Sequence, residues 1–259
     1  MSIHPESITI EPIRFYTEQT IEVSLLRLDK IHPVISGNKW FKLKEYLALA
    51  LETKKQGIIT FGGAWSNHIV ASAYAARQAG LSSIGMIRGE EPSVYSQSLK
   101  DALAYGMELR FLKRSDYQQA TRENILRFPD AGNFQFIPEG GKGSMGVSGA
   151  ATILELVPNL PAFSHICCAV GTGTMLAGLA NAALPHQKLI GISSLKGNDT
   201  LSDSIRPLLH PDAAEFNILF DYHFGGYAKH PPALIDFMNR FFSSTQVPTD
   251  IVYTSKLMF

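Results

Sequence analysis

The stretch Gly57-Ile-Ile-Thr-Phe-Gly-Gly-Ala-Trp-Ser-Asn-His68 decides the fold class of this chain. Its first residues, up to Phe61, are mostly apolar and β-branched, and they predict a short buried strand. Two glycines then permit a sharp turn, and Ser66 can cap a helix over residues 67–78, which Gly80 would end. A strand, a glycine turn and a helix in this order are typical of a parallel sheet covered by helices.

The same alternation of strands and helices extends along the chain from this stretch. Such alternation predicts an α/β fold with mainly parallel sheets that are covered on both faces. Residues 158–161, with a proline at each end, are interpreted as a linker between two lobes. The other predicted strands are 83–87, 109–112, 134–137, 166–170 and 188–192, and the other predicted helices are 42–54, 96–105, 116–127, 147–156 and 174–183.

The composition is ordinary for a globular protein with a sizeable core. Hydrophobic residues make up 45% of the 259 residues, and charged residues make up 18%. Lysine plus arginine equals aspartate plus glutamate, at 23 each, so the formal net charge is zero. A neutral balance gives no electrostatic reason to expect nucleic acid or an acidic membrane surface as a partner.

The cysteines and the N-terminal segment predict where the protein resides. Cys167 and Cys168 are adjacent within an apolar run, lack the spacing of a metal site, and predict core packing in a reducing compartment. Residues 1–13 lack the basic start and apolar stretch of a signal peptide. No run of about 18 apolar residues exists. We therefore expect no metal, no membrane span and a cytoplasmic location.

Ligands of open α/β sheets bind beyond the carboxyl ends of the strands, so the loops after strands carry the functional information. In the first such loop, Gly62 to His68, the helix that starts after Ser66 has free N–H groups that attract an anion. Taken alone, the same residues also suit an ordinary strand–turn–helix joint with a capping serine.

The second loop is Val170-Gly-Thr-Gly-Thr174, which lies between a predicted strand and a predicted helix. Its backbone N–H groups and hydroxyls can hold a phosphate. The dinucleotide-binding pattern would need glycine where Leu176 stands, and the lysine of a P-loop is absent. The alternative is that the glycines only serve tight packing of helix on strand.

A lysine-bearing turn, Ser36-Gly-Asn-Lys39-Trp-Phe-Lys42, precedes these loops. Apolar neighbours would partly bury Lys39, and burial lowers the pKa of an ammonium group and produces a usable amine nucleophile. The alternative is a solvated surface lysine.

Three further stretches have glycine or proline turns. Pro138-Glu-Gly-Gly141 follows a predicted strand, and Phe224-Gly-Gly-Tyr-Ala-Lys229 places Tyr227 in a glycine-rich loop. Asp250-Ile-Val-Tyr-Thr-Ser-Lys256 follows a proline and predicts a strand that enters a turn. The competing interpretations are a plain turn, a core tyrosine and an edge strand, respectively.

Together these stretches resemble the pyridoxal-phosphate (PLP)-dependent D-cysteine desulfhydrase and 1-aminocyclopropane-1-carboxylate (ACC) deaminase family, within the tryptophan-synthase-β-like class. They occur in the order of the family and cover most of the chain. The resemblance is carried by Ser36-Gly-Asn-Lys-Trp-Phe-Lys-Leu43, Gly62-Gly-Ala-Trp-Ser-Asn-His68, Ile84-Gly-Met-Ile-Arg-Gly-Glu90, Pro138-Glu-Gly-Gly141, Val170-Gly-Thr-Gly-Thr174, Tyr227 and Val252-Tyr-Thr-Ser-Lys256.

The resemblance implies roles for residues in the first half of the chain. Lys39 would bind PLP as a Schiff base and later transfer the Cα proton. Asn67 would donate a hydrogen bond to the ring hydroxyl of PLP. Ser66 and the N–H groups at its helix start would bind the substrate carboxylate.

It also implies roles in the second half. Tyr227 and Tyr253 match catalytic tyrosines of the family, and Thr254 matches the residue that faces the pyridine nitrogen. The cofactor phosphate would bind, mostly through backbone N–H groups, to the loop of Val170, Gly171, Thr172, Gly173 and Thr174.

Thr254 also bears on the reaction. ACC deaminases typically have a carboxylate at this position, which keeps the ring nitrogen protonated and strengthens the ring as an electron sink. A neutral threonine favours α,β-elimination from a D-cysteine-like substrate, with loss of hydrosulfide and release of pyruvate and ammonia. Ring opening of ACC to 2-oxobutanoate and ammonia is the alternative.

The resemblance further implies a fold of two open, mainly parallel sheets with PLP in the cleft. Residues 1–50 and 151–259 would form the larger domain, which binds the cofactor phosphate, and residues 51–150 would form the smaller substrate domain. A homodimer is expected, with a small amino acid as substrate. Trp65 stands where the family often has a smaller or polar residue, so we expect a reshaped pocket.

The chain ends at Phe259, whereas relatives usually continue, so we expect the C-terminal part of the fold to be short. One alternative is therefore a non-catalytic relative that binds PLP or a partner without turnover. A second alternative, a nucleotide-binding α/β protein, is opposed by the incomplete glycine pattern around Gly171.

Overall fold

The structure, a computed structural model, describes residues 3–16, 21–122, 131–197 and 200–259. It divides into two compact units, one formed by Met1–Ile8 with Leu28–Ala150 and the other by Thr9–Arg27 with Ala151–Phe259. The strands of the described residues are β1 Ile10–Pro12, β2 Ser24–Leu26, β3 Gly57–Gly62, β4 Ser82–Arg88, β5 Met107–Leu112, β6 Phe134–Ile137, β7 His165–Val170, β8 Lys188–Ser193 and β9 Phe216–Leu219.

Helices connect most of these strands, and several short 3-10 turns, Glu139–Gly141 among them, complete the connections. The helices of the same ranges are α1 Lys39–Glu52, α2 Asn67–Gln78, α3 Gln97–Ala104, α4 Arg114–Arg122, α5 Ser144–Ala151, α6 Thr174–Ala182, α7 Leu201–Ile205, α8 Pro232–Thr245 and α9 Thr254–Met258. None of them is long and apolar enough to cross a membrane.

The first unit contains a parallel sheet with the strand order β5-β4-β3-β6. All six residues of β3 are buried, because this central strand has neighbours on both edges and apolar side chains on both faces. Gly57 pairs with Ser82 on one side and with Phe134 on the other. The apolar face of α1, with Leu43 and Leu47, packs in one core cluster with β3 and β6.

One close backbone approach and one side-chain hydrogen bond fix α1 within this unit. A Cβ atom built on Gly149 of α5 would lie 1.9 Å from the carbonyl oxygen of Phe41, so only glycine fits there. The hydroxyl of Tyr46 donates to the carbonyl of Lys142 at 2.6 Å, and burial raises the pKa of this hydroxyl to about 12. The helix that begins with Lys39 is therefore held firmly against α5 and the turn before it.

The second unit contains a parallel sheet with the order β7-β8-β9 and a separate antiparallel pair, β1 and β2. An aromatic cluster stabilises its helices: the rings of Phe237 and Phe241 on α8 stack at 5.7 Å, and both contact Phe15 edge to face. Met258 of α9 is buried in the same cluster. The C-terminal residues are thus part of the core of this unit.

Most predicted elements are present within a few residues of their predicted bounds. The predicted helix over 147–156 instead starts at Ser144 and ends at Ala151, and a 3-10 turn follows at Leu154–Leu156. The predicted end of the helix 116–127 lies outside the described residues. β1, β2, β9, α7 and α8 were not predicted.

The prediction of a strand that enters a turn within residues 250–256 was wrong, because residues 251–253 already form a turn. Thr254–Met258 is helical, because the carboxylate of Asp250 accepts hydrogen bonds from the N–H groups of Val252, Tyr253 and Thr254 and so organises the helix start. These local bonds override the β preference of Ile251, Val252 and Tyr253.

Residues 28–50 cluster with 51–150, because α1 packs on β6 and α2, whereas the sequence placed them with 151–259. Which unit binds the cofactor phosphate and which binds the substrate stays a prediction.

Candidate active site

Lys39 is the first residue of α1 and stands two residues after Gly37, a glycine in the left-handed region with φ of +65°. The side chain of Lys39 is partly buried, and its Nζ donates a hydrogen bond to Oδ1 of Asn38 at 2.8 Å. A primary amine at a helix start, oriented by a neutral amide, is suited to condensation with an aldehyde.

The 3-10 turn Glu139–Gly141 packs against α1 one helical turn after Lys39. Gly141 has φ of +71°, and a Cβ atom on it would lie 2.9 Å from the carbonyl oxygen of Lys42. Lys42 itself is buried. The Lys39 turn and the glycine turn after β6 are distant in the sequence, but they lie side by side in the first unit.

The start of α2 has the geometry of an anion site. Ser66 caps the helix, with its Oγ accepting from the N–H of Ile69 at 3.4 Å, and Asn67 is exposed at the first helical position. A Cβ atom on Gly62 would lie 2.6 Å from the side chain of Ile69, so the strand can approach the helix only through glycine. Trp65 precedes the cap and is 64% exposed.

His68, the second residue of α2, is buried and paired with Thr60 of β3. The hydroxyl of Thr60 donates to the carbonyl of Ile137 at 2.9 Å, so its oxygen accepts from Nε2–H of His68 at 2.8 Å. Burial, together with the positive charges of Lys42 and Lys39, holds the pKa of His68 well below its usual range. The imidazole is therefore neutral, and its Nδ1 has no hydrogen-bond partner among the residues that the structure describes.

Arg88 brings a positive charge to the loop before α2. A Cβ atom on Gly63 would lie 3.6 Å from a terminal nitrogen of Arg88, and the guanidinium carbon lies 5.6 Å from the centre of the Tyr117 ring. Burial and the nearby carboxylate of Glu139 raise the pKa of Tyr117 far above its usual range. Tyr117 therefore stays neutral beneath the arginine, whose charge favours an anion at this loop.

In the second unit, the loop after β7 closes on the start of α6 as a compact turn. Gly173 has φ of +80°, and a Cβ on it would lie 2.4 Å from the side chain of Ile205. A Cβ on Gly171 would lie 3.1 Å from Cε1 of Tyr253. Thr172 and Thr174 bring their hydroxyls within 3.0 Å of each other, beside the N–H groups that α6 leaves unpaired at its start. The loop thus has the donors that a phosphate requires.

The two tyrosines predicted to be catalytic lie in the second unit with this loop. The rings of Tyr227 and Tyr253 are 6.4 Å apart and nearly perpendicular. Thr254 is exposed, and its hydroxyl donates to the carboxylate of Asp250 at 2.6 Å. The next residue, Ser255, is fully buried, and its Oγ has no hydrogen-bond partner in the described part of the chain.

The predicted site residues thus form two groups, one in each unit. Lys39, Ser66 and Asn67 belong to the first, and the loop Val170–Thr174 with Tyr227, Tyr253 and Thr254 belongs to the second. Their roles toward a cofactor stay predictions. Sequence reasoning missed several buried or charged side chains around them: Lys42, His68, Arg88, Ser255 and Lys256. One signal was present, because Lys42 follows Lys39 by three residues and so lies on the same side of α1.

Each of the two units has residues that fit a part of PLP. Lys39 provides the amine, the Gly171–Gly173 turn provides backbone donors, and the unpartnered hydroxyl of Ser255 is a spare buried hydrogen-bonding group. The sequence model of the family described as "Pyridoxal-phosphate dependent enzyme" matches residues 10–219. The chain belongs to this family of pyridoxal-phosphate dependent enzymes. The predictions of the family, of the α/β fold with parallel sheets and of PLP as the cofactor are therefore confirmed.

Known members of this PLP-dependent enzyme family are similar over most of the chain. The "Putative 1-aminocyclopropane-1-carboxylate deaminase" of Thermotoga maritima is 29% identical over 250 residues, which cover 89% of this chain and 80% of that protein. The mitochondrial "Bifunctional D-cysteine desulfhydrase/1-aminocyclopropane-1-carboxylate deaminase" of Arabidopsis thaliana is 27% identical over 252 residues, 87% of this chain and 63% of the relative.

The fold of this PLP-dependent enzyme is also that of a solved crystal structure. The structure of an "ACC deaminase homologue" superposes with a TM-score of 0.80 and covers 97% of this chain and 82% of its own. Because the two sequences are only 24% identical, this similarity shows a shared fold and not a shared activity.

Proposed function

We propose that this protein is a PLP-dependent deaminating lyase that acts on a small amino acid, with D-cysteine favoured as substrate. The observation that carries the proposal is the amine of Lys39, partly buried at the start of α1 and hydrogen-bonded to Asn38, in a member of the PLP family. The bifunctional Arabidopsis relative, whose name includes D-cysteine desulfhydrase, supports the choice of substrate.

Lys39 would hold the cofactor covalently and later accept the Cα proton of the substrate at Nζ. When bound, PLP supplies an electron sink that makes this proton acidic. Asn38 orients the amine by accepting its hydrogen bond.

The start of α2 would bind the substrate carboxylate. Ser66 contributes its hydroxyl, the first-turn N–H groups contribute donors, and Arg88 contributes a positive charge near Gly63. Asn67, exposed at the first helical position, would donate to the ring hydroxyl of the cofactor. Position 67 would thus orient the cofactor while position 66 orients the substrate.

The second unit would bind the cofactor phosphate through Val170–Thr174. Tyr253, whose ring packs on Gly171, would lie beside the phosphate loop, and Tyr227 would share the substrate side with it. In this arrangement, the second unit is the cofactor-phosphate domain and the first unit presents the lysine and the carboxylate site.

Elimination is favoured over ring opening because the two residues directly after Tyr253 offer a neutral hydroxyl, rather than a carboxylate, to a pyridine nitrogen. Thr254 and Ser255 are both hydroxyl residues, so the argument holds for either position. D-cysteine and one water would give pyruvate, ammonia and hydrogen sulfide. ACC and one water would give 2-oxobutanoate and ammonia, which is the second candidate reaction, favoured by the name of the Thermotoga relative.

Borohydride reduction tests the assignment of Lys39. The protein is incubated with PLP, reduced and digested, and the labelled lysine is mapped by mass spectrometry. Labelling at Lys39 is expected, with loss of the label in Lys39→Ala and its retention in Lys44→Ala, a lysine five residues later on the same helix. Labelling at another lysine, or no labelling at all, would overturn the assignment.

Product release tests the reaction. Pyruvate and 2-oxobutanoate are measured with D-cysteine, L-cysteine, D-serine and ACC. Faster release from D-cysteine than from ACC is expected, and the reverse order would contradict the argument from Thr254 and Ser255. Labelling without any product release would identify a PLP-binding relative without turnover.

The proposal includes a homodimer, which only the family resemblance supports. Light scattering coupled to size-exclusion chromatography should give twice the mass of 28.5 kDa, and a single-chain mass would contradict it.

A further inference from the structure

Lys256 is a buried lysine that the proposed function does not use. It lies on α9 and is 1% exposed, and its Nζ donates to the carbonyl oxygens of His223 at 2.8 Å and Gly226 at 2.7 Å. Burial lowers the pKa of Lys256, and the nearby carboxylate of Asp250 opposes this shift. A buried ammonium is costly unless it is hydrogen-bonded, so these two carbonyls are its structural compensation.

The two carbonyls begin two consecutive turns of the chain. The N–H of Gly226 donates to the carbonyl of His223 at 3.0 Å, and the N–H of Lys229 donates to the carbonyl of Gly226 at 3.2 Å. The ammonium of Lys256 therefore joins the first carbonyl of each turn. We call residues 223–229 the tyrosine segment, because Tyr227 follows directly after the junction of the two turns.

The tyrosine segment has an unusual backbone. Phe224 and Ala228 have φ of +52° and +55°, and the glycines between them, Gly225 and Gly226, have φ of +91° and +116°. Residues other than glycine rarely adopt this region, and such conformations persist only where surrounding contacts enforce them. Besides Lys256, the edge-to-face contact of Phe224 with Phe259, at 4.7 Å, provides such a contact.

The backbone of the tyrosine segment determines where the side chain of Tyr227 starts. The Tyr227 side chain is 39% exposed, so burial alone does not fix it, and its ring contacts Tyr253 at 6.4 Å in a nearly perpendicular arrangement. Because the two turns hold the backbone on both sides of Tyr227, they set the direction of its Cα–Cβ bond. Lys256 is the side chain that links both.

We propose that Lys256 is a positioning residue, whose buried ammonium holds the tyrosine segment closed and so orients Tyr227 toward its place beside Tyr253. The catalytic importance of this orientation rests on the proposed function, but the holding of the segment does not. The two parts of the proposal are therefore tested with different measurements.

The first measurement is hydrogen exchange by mass spectrometry on the full chain. Lys256→Met keeps most of the apolar stem but removes the three donors, and Lys229→Met is the matched control, since Lys229 is exposed in the same segment. Exchange of amides 224–229 should rise about 10-fold or more in Lys256→Met and stay unchanged in Lys229→Met. Equal exchange in the two variants would overturn the proposal, whether or not the protein is an enzyme.

The second measurement is a double-mutant cycle with Tyr227→Phe on the PLP-loaded protein. If Lys256 acts through Tyr227, Lys256→Met lowers kcat about 10-fold in the native background and has little further effect beside Tyr227→Phe. If the losses of kcat in Lys256→Met and Tyr227→Phe are additive, Lys256 does not act through Tyr227, and its positioning role is overturned. If neither the native chain nor any variant shows turnover, the proposed function has failed. The hydrogen-exchange result then tests on its own whether Lys256 holds the tyrosine segment closed.

Should Lys256→Met fail to fold, as judged by circular dichroism, Lys256→Gln replaces it in both measurements. The amide of glutamine retains donors but no charge and has a shorter reach. An exchange rate of amides 224–229 above that of the native chain is expected, and native protection would overturn the proposal.

Discussion

Nε2 of His68 lies 2.8 Å from Oγ1 of Thr60, and this hydrogen bond joins the start of α2 to the strand that precedes it. Both side chains are buried, and the same hydroxyl also donates to Ile137 at the end of β6. One threonine therefore connects the predicted carboxylate site after β3 with the glycine turn after β6.

Thr60→Val should destabilise the first unit. The change leaves Nε2–H of His68 without its acceptor inside the core, which costs about 1–3 kcal/mol of unfolding free energy. Urea denaturation measures the loss, and Thr53→Val, the same change at an exposed residue, is the control. A loss no larger than that of the control would mean that the His68–Thr60 bond contributes nothing.

The neutral state of His68 predicts an acid-sensitive fold. Because the folded pKa of His68 lies below the value of about 6.5 for an unfolded chain, the unfolded state binds the extra proton as the pH falls below 6.5. Stability should fall by up to about 1.4 kcal/mol per pH unit from this group until the folded pKa is reached. The control is His68→Gln, whose unfolding free energy should not show this His68-dependent decrease between pH 6.5 and 5. If the unfolding free energies of the two proteins change with pH in parallel, the prediction is refuted.

Asp250→Ala should loosen the C-terminal helix. Its carboxylate accepts three backbone N–H groups and the Thr254 hydroxyl, a cap worth about 1–2 kcal/mol. Burial acts to raise the pKa of Asp250, but the hydrogen bonds from Thr254, Tyr253 and Val252 outweigh it and lower the pKa. The stabilisation is therefore present above pH 4 and is lost as the pH falls through the folded pKa.

Thermal melting of Asp250→Ala and the native chain at pH 7 and pH 3 tests this prediction. The difference in Tm should be larger at pH 7. Asp212→Ala, at an exposed turn, should melt like the native chain at both pH values. A pH-independent difference would show that the charge of Asp250 is unimportant.

Gly149→Ala should disturb the position of α1. The new methyl group would overlap the carbonyl of Phe41, and relief of this overlap costs about 1–3 kcal/mol. Since α1 carries Lys39, labelling of Lys39 by PLP and borohydride should also weaken. Gly132→Ala is the control, because a Cβ there meets no atom within 4 Å. Native stability of Gly149→Ala would show that the two helices separate easily.

Ser255→Ala and Thr254→Ala should differ in their effect on bound PLP. The Ser255 hydroxyl is buried without a partner among the residues described, whereas the Thr254 hydroxyl is bonded to Asp250. We expect a changed absorption spectrum of the bound cofactor in Ser255→Ala only, and mainly a lower Tm in Thr254→Ala. A spectral change confined to Thr254→Ala would instead support the ring-nitrogen role that the family resemblance implies for Thr254.

The elements that sequence analysis predicted well have signals within a few residues. The run before Phe61, the capping Ser66 and the terminating Gly80 are all local, and they give β3 and α2 almost to the residue. The helix at Thr254 was missed because its decisive signal is the side-chain bonding of Asp250, which outweighs three strand-forming residues.

The predicted site residues follow the same rule. Lys39, Ser66 and the Gly171 loop lie in turns that the sequence marks with glycine, whereas His68 and Lys256 are defined by distant partners. His68 depends on Thr60, which is bonded to a residue 77 positions away, and Lys256 depends on carbonyls 33 and 30 positions away. Such contacts arise only when the chain is folded, so no local pattern indicates them.

The two tryptophans of the chain give it an internal optical reporter. Trp40 adjoins Lys39 and packs on the core, whereas Trp65 adjoins Ser66 and is largely exposed. In a Trp40→Phe protein, the remaining indole would emit from beside the predicted carboxylate site. Its fluorescence could then follow the arrival of candidate amino acids in real time, without any attached dye and before any product forms.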